Sequence, residues 1–369
     1  MSIEQDKKII SRRSRSVSNG VKVLYLFNGS REGLLDKVRA GEEHGNGFWG
    51  MIGLREHGIE ADYIELEQFF SKSISQFLRK HLNIYFIHVP LFWKIFSYDI
   101  VFTSASFGLQ FLHMLFGIRR PIWVMHDFSI KGLLGDEKTL RQRIFRSMVL
   151  RSKGVVTLSE DEKTFLEERF PHLRSRVECI PFGIDLNFFK KKDGVEKRQV
   201  LSVGRDPDRD WKTFVAATRG IDVPVVITSW LSRLKSLMPL PPNYQVLELP
   251  SRALVEKYAE SSVVVIPLNT SYRNNDAMGS SALFEAMSMG KAIVATRTKA
   301  MESHVKDGEN GLLVPEGDAR AMHDAIERLL ADEKLRKTLG ENAYRYALEN
   351  LDTKKTTRRL AEFFRRVLS

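Results

Sequence analysis

Residues 262–318 constrain this chain more than any other stretch. Two β-branched runs, SVVVIP and AIVAT, flank a polar Asn-rich loop and an apolar block, LFEAMSMG, that ends in Gly290. That order spells strand, loop, helix, strand, and parallel strands joined by a helix commit a chain to an open α/β sheet covered on both faces. The helix has almost no polar side. Ala282, Leu283, Phe284, Ala286, Met287 and Met289 leave Glu285 as the odd residue, and a helix that is apolar all round is a buried one. Ser280 or Ser281 is expected as its N-cap and Gly290 at its C-terminal cap. Neither serine has a glutamate three residues on, so a capping box does not explain Glu285. Two readings remain: Glu285 and Ser288 form a thin solvated stripe, or a carboxylate is buried at a ligand site. The loop 276–279 favours the second. It lies beyond the carboxyl end of a parallel strand and at a helix N-terminus, where free N–H groups and the helix dipole suit a phosphate.

The same alternation runs through the whole chain. Strand-like runs fall near 21–27, 61–66, 99–103, 121–125, 154–158 and 176–180, and again near 199–203, 223–228, 244–249, 262–267, 292–296 and 311–314. Between the two sets lies 181–198, PFGIDLNFFKKKDGVEKR, a turn followed by a charged run and the expected linker. The expectation is therefore two doubly wound, Rossmann-like domains, 21–185 and 186–351, facing each other across a cleft. A helix at about 352–369 is expected to pack back on the first domain, and residues 1–20, basic and Ser-rich, form a flexible arm with no secretory signal.

Three further places carry chemistry. In the first half Gly45, Asn46 and Gly47 open the pattern FWGMIGLREHG, a helix expected to end at Gly58; the glycines suit either close backbone approach to a ligand or a plain helix start. His126 directly follows the run IWVM, where open α/β sheets place functional groups, and suits a hydrogen bond or acid/base role on a sugar or phosphate. In the second half, Gly204 to Lys212 places Arg205, Arg209 and Lys212 on one loop leading into a helix, a set that suits a diphosphate. Asp206, Asp208 and Asp210 argue for the alternative, an exposed mixed-charge turn.

Charge and composition bound the partners. With 57 Lys+Arg against 46 Asp+Glu the net charge is +11, which favours an anionic ligand or surface; no nucleic-acid motif accompanies it, and no nucleic acid is expected. Residues 67–97 interleave rings and cations, Lys72, Arg79, Lys80 and Lys94 among them. They read either as a face for an anionic membrane or as ordinary helices packed on the sheet. The apolar stretch around them is broken by His88, Pro90, Lys94 and Asp99 and does not make a spanning helix. Cys179 is the single cysteine and reads as a packed core thiol in a reducing compartment. The expected location is cytoplasmic, or peripheral at the inner face of the membrane.

At these residues the chain resembles family 4 of the glycosyltransferases, retaining nucleotide-sugar-dependent enzymes of the GT-B fold. The resemblance runs from about Gly45 to about Leu330 and is most specific in the stretch from Glu285 to Thr296, EAMSMGKAIVAT, followed by Glu302-Ser303 and by Asp307 to Val314, DGENGLLV. It implies roles. Glu285 resembles the carboxylate that holds the donor ribose, and Gly279, Ser280 and Ser281 the helix start that meets the diphosphate. Arg205 resembles the phosphate-binding arginine, with Arg209 and Lys212 competing as its partner cation. His126 resembles the histidine that reaches the transferred sugar. The family often carries a second glutamate eight residues before Glu285; here Ala277 stands there, with Asp276 beside it as a candidate substitute.

The expected function is metal-independent, retaining transfer of a sugar, of hexosyltransferase type, from a nucleotide-diphosphate sugar to an unidentified acceptor hydroxyl. Glycolipid, polysaccharide or other glycoconjugate synthesis is the expected setting. No His, Asp and Glu cluster at metal-ligand spacing is present, so no metal and no cofactor are expected beyond the donor. Two alternatives stay open: a nucleotide-sugar epimerase or hydrolase on the same fold, and a catalytically weak nucleotide-sugar-binding subunit. A Rossmann dehydrogenase is disfavoured because no G-x-G-x-x-G follows the first strand.

Overall fold

The computed structural model describes residues 20–27, 29–83, 85–104, 106–126, 130–192, 194, 196–271 and 277–369. Each of the twelve expected runs forms a strand, and they divide into two sheets. The first contains β1 (Val21–Leu26), β2 (Ile59–Tyr63), β3 (Ile100–Thr103), β4 (Ile122–His126), β5 (Gly154–Thr157) and β6 (Val177–Cys179) in the order β2-β1-β3-β4-β5-β6. The second contains β7 (Val200–Val203), β8 (Val225–Thr228), β9 (Tyr244–Leu247), β10 (Val263–Ile266), β11 (Ala292–Thr296) and β12 (Leu312–Val314) in the order β12-β11-β10-β7-β8-β9. All neighbours pair in parallel. Strands of Val and Ile with both faces buried need helices above and below, and the intervening chain supplies them.

In each sheet the strand order reverses beside the first strand, between β1 and β3 and between β7 and β10. The loops leaving those strands diverge to opposite faces and open a crevice at the carboxyl end.

The halves are tied together. Ile184 N–H donates to the Leu351 carbonyl at 2.7 Å and Thr353 N–H to the Ile184 carbonyl at 3.2 Å, where the chain crosses from one half to the other and back. The last helix, Thr353–Leu368, then lays Leu360, Phe363 and Phe364 into the first sheet's core, with Phe364 and Phe102 rings 5.3 Å apart. Elsewhere Ser251 hydrogen-bonds Glu43, and Lys299 pairs with Asp161 at 3.0 Å.

After β1 the chain forms a short helix, Leu34–Arg39. Two local expectations are corrected. The segment from Gly45 to Gly58 is two 3-10 turns, Gly45–Phe48 and Met51–His57, because Trp49 (φ 49°) and Gly50 (φ 80°) adopt left-handed backbone and interrupt a continuous helix. The N-cap of the Glu285 helix, Ser280–Ser288, is Gly279 at φ 77°, and no side chain caps it; both serines lie inside the helix. At the other end Gly290 (φ 66°) follows the last turn, with its N–H on the Met287 carbonyl at 3.0 Å.

Candidate functional site

The crevice between β7 and β10 is built from two loops stitched to each other. Asp210 N–H donates to the Pro267 carbonyl at 3.1 Å, and Asn269 N–H to the Asp208 carbonyl at 2.9 Å. Asp210 also caps the next helix, Trp211–Thr218, accepting from Thr213 N–H at 3.0 Å. This geometry turns Arg209 inward. Its side chain folds over Gly204, where an added Cβ would lie 1.9 Å from the Arg209 Nε, so this close approach requires glycine. Arg209 is only 8% exposed; Nε pairs with Asp206 at 3.1 Å, and Nη1 has no hydrogen-bond partner among the described residues. A buried guanidinium donor left open in this way is costly unless an acceptor arrives. The mixed-charge turn is thus partly internal, and Asp208 is buried with it.

Glu285 faces the same crevice. It is 7% exposed and Ser288 is fully buried, which rules out the solvated stripe. The Tyr258 hydroxyl donates to Glu285 Oε2 at 2.8 Å. Burial pushes the Glu285 carboxyl up to about 7, while the Tyr258 hydrogen bond and the positive charge of Arg209 pull it back down. Tyr258 is itself buried and its phenol is held well above the usual range, so it remains a donor. The result is a carboxylate pushed up to about 7, between a phenol and a guanidinium, inside a helix whose N-terminus no side chain caps. Such a site accepts hydroxyl donors on its carboxylate and anionic oxygens on its cation and helix N–H groups.

The other candidates lie around this cluster. Ser280 is buried in the first turn and Ser281 is exposed. Arg205 and Lys212 are exposed; Arg205 reaches the Leu249 carbonyl at 3.5 Å and lies 6.0 Å from the Trp230 ring. Asp276 lies outside the described residues, and Ala277 is half-buried.

In the first half, His126 ends β4 and is 4% exposed. Its ring packs against Trp49 at 4.9 Å and Phe102 at 5.0 Å, and burial pushes its pKa down to about 3, so the imidazole is neutral. Asn46 is committed to the crossing segment, where its Oδ1 accepts from Asp185 N–H at 2.9 Å. Gly47 shows no close approach, its nearest neighbour being Leu34 at 3.8 Å. Cys179 is buried and its thiol is pushed up to about 12, the chemistry of a core residue. Among the described residues, no group of three His, Cys, Asp or Glu side chains is placed to hold a metal.

Residues 67–97 fold as the helix Lys72–His81 and the 3-10 segment Val89–Ser97. They turn Phe77 (60% exposed), Trp93 and Phe96 to solvent, and Phe116 (64% exposed) from the next helix joins them. Lys94 stands over the Phe69 ring at 4.4 Å, whereas Arg79 is taken up by Glu67. Among the described residues no helix is long and apolar enough to cross a membrane.

Two residues escaped the reading of the sequence. Tyr258 leaves a faint signal, since a tyrosine on an apolar helix face needs a partner for its hydroxyl, but its partner is 27 positions away. Trp49 leaves none, because its cover over His126 depends on the left-handed turn.

With this geometry in hand, comparison with known proteins is informative. Residues 55–188 match the family model described as Glycosyltransferase Family 4, and residues 240–346 match the one described as Glycosyl transferases group 1. A D-inositol 3-phosphate glycosyltransferase of Corynebacterium urealyticum is 25% identical over 391 aligned positions, covering 95% of this chain and 82% of the relative. An uncharacterized glycosyltransferase of Methanocaldococcus jannaschii is 24% identical over 319, covering 75% and 79%. Among solved structures, sucrose-phosphate synthase from Thermosynechococcus elongatus superposes with a TM-score of 0.69 at 17% identity, covering 94% of this chain and 99% of that one. Anabaena HepE in complex with UDP and glucose gives a TM-score of 0.66 at 15% identity, covering 94% and 100%.

Proposed function

This chain belongs to the GT-B glycosyltransferases of the family 4 type and works on a nucleotide sugar, and from that premise we propose a metal-independent, retaining hexosyltransferase that delivers its sugar to an acceptor hydroxyl in glycolipid, polysaccharide or other glycoconjugate synthesis. The observation that supports this reading most is the buried cluster of Arg209, Tyr258 and Glu285 at the β7/β10 crevice. Glu285 accepts the ribose hydroxyls of the donor. Its diphosphate lies between the open Nη1 of Arg209 and the N-terminus of the Ser280–Ser288 helix, with the exposed Arg205 and Lys212 closing over the outer oxygens. These fixed positive groups offset the charge that develops on the leaving diphosphate, the task a metal performs elsewhere.

The resemblance to family 4 supports retention. No carboxylate is assigned as a nucleophile, so donor phosphate and acceptor hydroxyl react on one face of the sugar. His126, a neutral imidazole, hydrogen-bonds the sugar once Trp49 moves off its ring. The exposed rings and cations of residues 67–97 lie on an anionic membrane surface and bring the first half to its acceptor.

The alternative of a catalytically weak binding subunit draws support from Ala277, and it predicts donor binding without turnover. The experiment that tests the main reading is a thermal-shift panel of UDP, GDP, ADP and their sugars, followed by turnover of the best binder with and without EDTA. One nucleotide diphosphate at a hundredfold excess over its Kd raises stability by about 2.7 kcal/mol. No shift with any of them would leave the cluster without its ligand.

A further inference from the structure

The first half carries an apolar groove of about 550 Å³ that the donor site does not use. Topology fixes its place. β3 leads into the Phe107–Leu115 helix, so Phe107 and Gly108 lie at the carboxyl end of the parallel sheet, the end that also carries His126. Phe107 and Phe111 line the groove from that helix, Leu140 and Ile144 from the helix Leu140–Arg151, and Tyr85 and Phe86 complete it. The volume is that of a small-molecule site. Leu140, at 74% exposed, and Phe86 remain in water in the free chain, apolar surface that the fold itself leaves uncovered.

Two observations identify the occupant. The first is charge. Arg146 and Arg169 share Glu137, whereas Arg141, in the groove wall and 5.5 Å from the Tyr85 ring, forms no ion pair with a carboxylate among the described residues. The second is continuity with the exposed ring face. Phe107, Phe111 and Leu115 are four apart and share one side of their helix. Leu115 leads to Phe116, whose ring is 6.0 Å from Phe92, next to Trp93. An apolar trough with a cation at the carboxyl end of the sheet, running out onto a surface of rings and lysines, matches an amphipathic anion.

We propose that this groove holds the hydrocarbon chain of a lipid-phosphate-linked acceptor, with Arg141 on its phosphate and the acceptor hydroxyl on the headgroup that the phosphate carries. This rests on the glycosyl-transfer reading and names its acceptor class. The test uses the full chain, titrated with farnesyl phosphate and with dimethylallyl phosphate below micellar concentrations, read by intrinsic fluorescence. Each buried methylene tightens binding about fourfold, so farnesyl phosphate should bind at least about a hundredfold better. Leu140→Asp, at an exposed position that will not disturb folding, and Arg141→Glu should each weaken it about tenfold or more, with the nucleotide-induced melting shift unchanged. Equal binding of the two phosphates, or farnesyl phosphate binding untouched by Leu140→Asp, overturns the proposal. So does sedimentation in which Leu140→Asp splits a dimer while lipid binding stays intact, which would assign the groove to a second copy. Farnesyl phosphate binding by a chain that binds no nucleotide would uphold the groove and overturn the transfer reading instead.

Discussion

Two crevices occupy corresponding ends of two sheets with the same pattern of strand reversal, and they bury opposite chemistry. At the β7/β10 end a guanidinium, a phenol and a carboxylate have been drawn out of water into one cluster. At the corresponding end of the first sheet, rings enclose a neutral histidine on one face, and an apolar groove opens between the helices that cover the other. Burying ionisable groups costs several kcal/mol each unless partners are in place, so the first cluster is preorganised for one polar ligand of fixed shape. A groove of rings and methylenes demands little of shape and tolerates a flexible chain. Under the proposed function, the difference places specificity in directed hydrogen bonds on the nucleotide side, and in length and amphipathicity on the acceptor side.

The strongest way to break this contrast is Glu285→Ala. Losing a charge-assisted hydrogen bond at a buried site should lower kcat/KM for the donor by about a hundredfold, roughly 3 kcal/mol, with circular dichroism unchanged. A loss under about threefold would remove Glu285 from the donor site.

The pH dependence of folding comes next. Between the ordinary carboxyl value of 4.5 and about 7, folded Glu285 holds a proton that the unfolded chain has released. Stability from this group is therefore complete below 4.5 and declines as pH rises through 7, by about 3 kcal/mol. Denaturant melts of Glu285→Gln should lack that slope; an identical slope in the two proteins would show that the carboxyl is not buried as described.

Arg209→Met should weaken nucleotide diphosphate binding about thirtyfold, roughly 2 kcal/mol, and Arg205→Ala, on the exposed rim, about fivefold or less. Calorimetry showing the reverse order would move the main phosphate contact outward. The smallest effect concerns the first half. Lys72→Gln and Lys80→Gln, both exposed, should each reduce flotation with anionic liposomes about fivefold, near 1 kcal/mol apiece, with donor binding untouched. Absence of any association at low salt would leave the ring face without a membrane role.

Much of this architecture was legible in the sequence because strands buried on both faces must be written almost wholly in Val, Ile and Leu, as 263–266 and 292–296 are. Glu285 was legible for the same reason, as one carboxylate in a helix with no solvated face. Less legible were places where glycine bends the chain. The Gly45–Gly58 segment carries a helical spacing of apolar residues, yet backbone at Trp49 and Gly50 breaks it into two turns, and Gly279 displaces the serines from the cap. Residues 67–97 carried a pattern common to surface and core helices. Their exposed rings became visible only when the sheet took its neighbours.

By itself the sequence determined the two α/β sheets and the presence of a buried carboxylate in the helix between β10 and β11. Each of these depends on which residues avoid water, and hydrophobic periodicity records that locally. Tertiary structure alone decided that Arg209 turns inward while Lys212 faces solvent, that Tyr258 supplies the hydrogen bond to Glu285, and that His126 lies beneath Trp49. A buried polar group must find a partner, but the chain does not write that partner nearby. It is chosen where segments far apart in sequence meet, and that meeting set the charge of the candidate donor site.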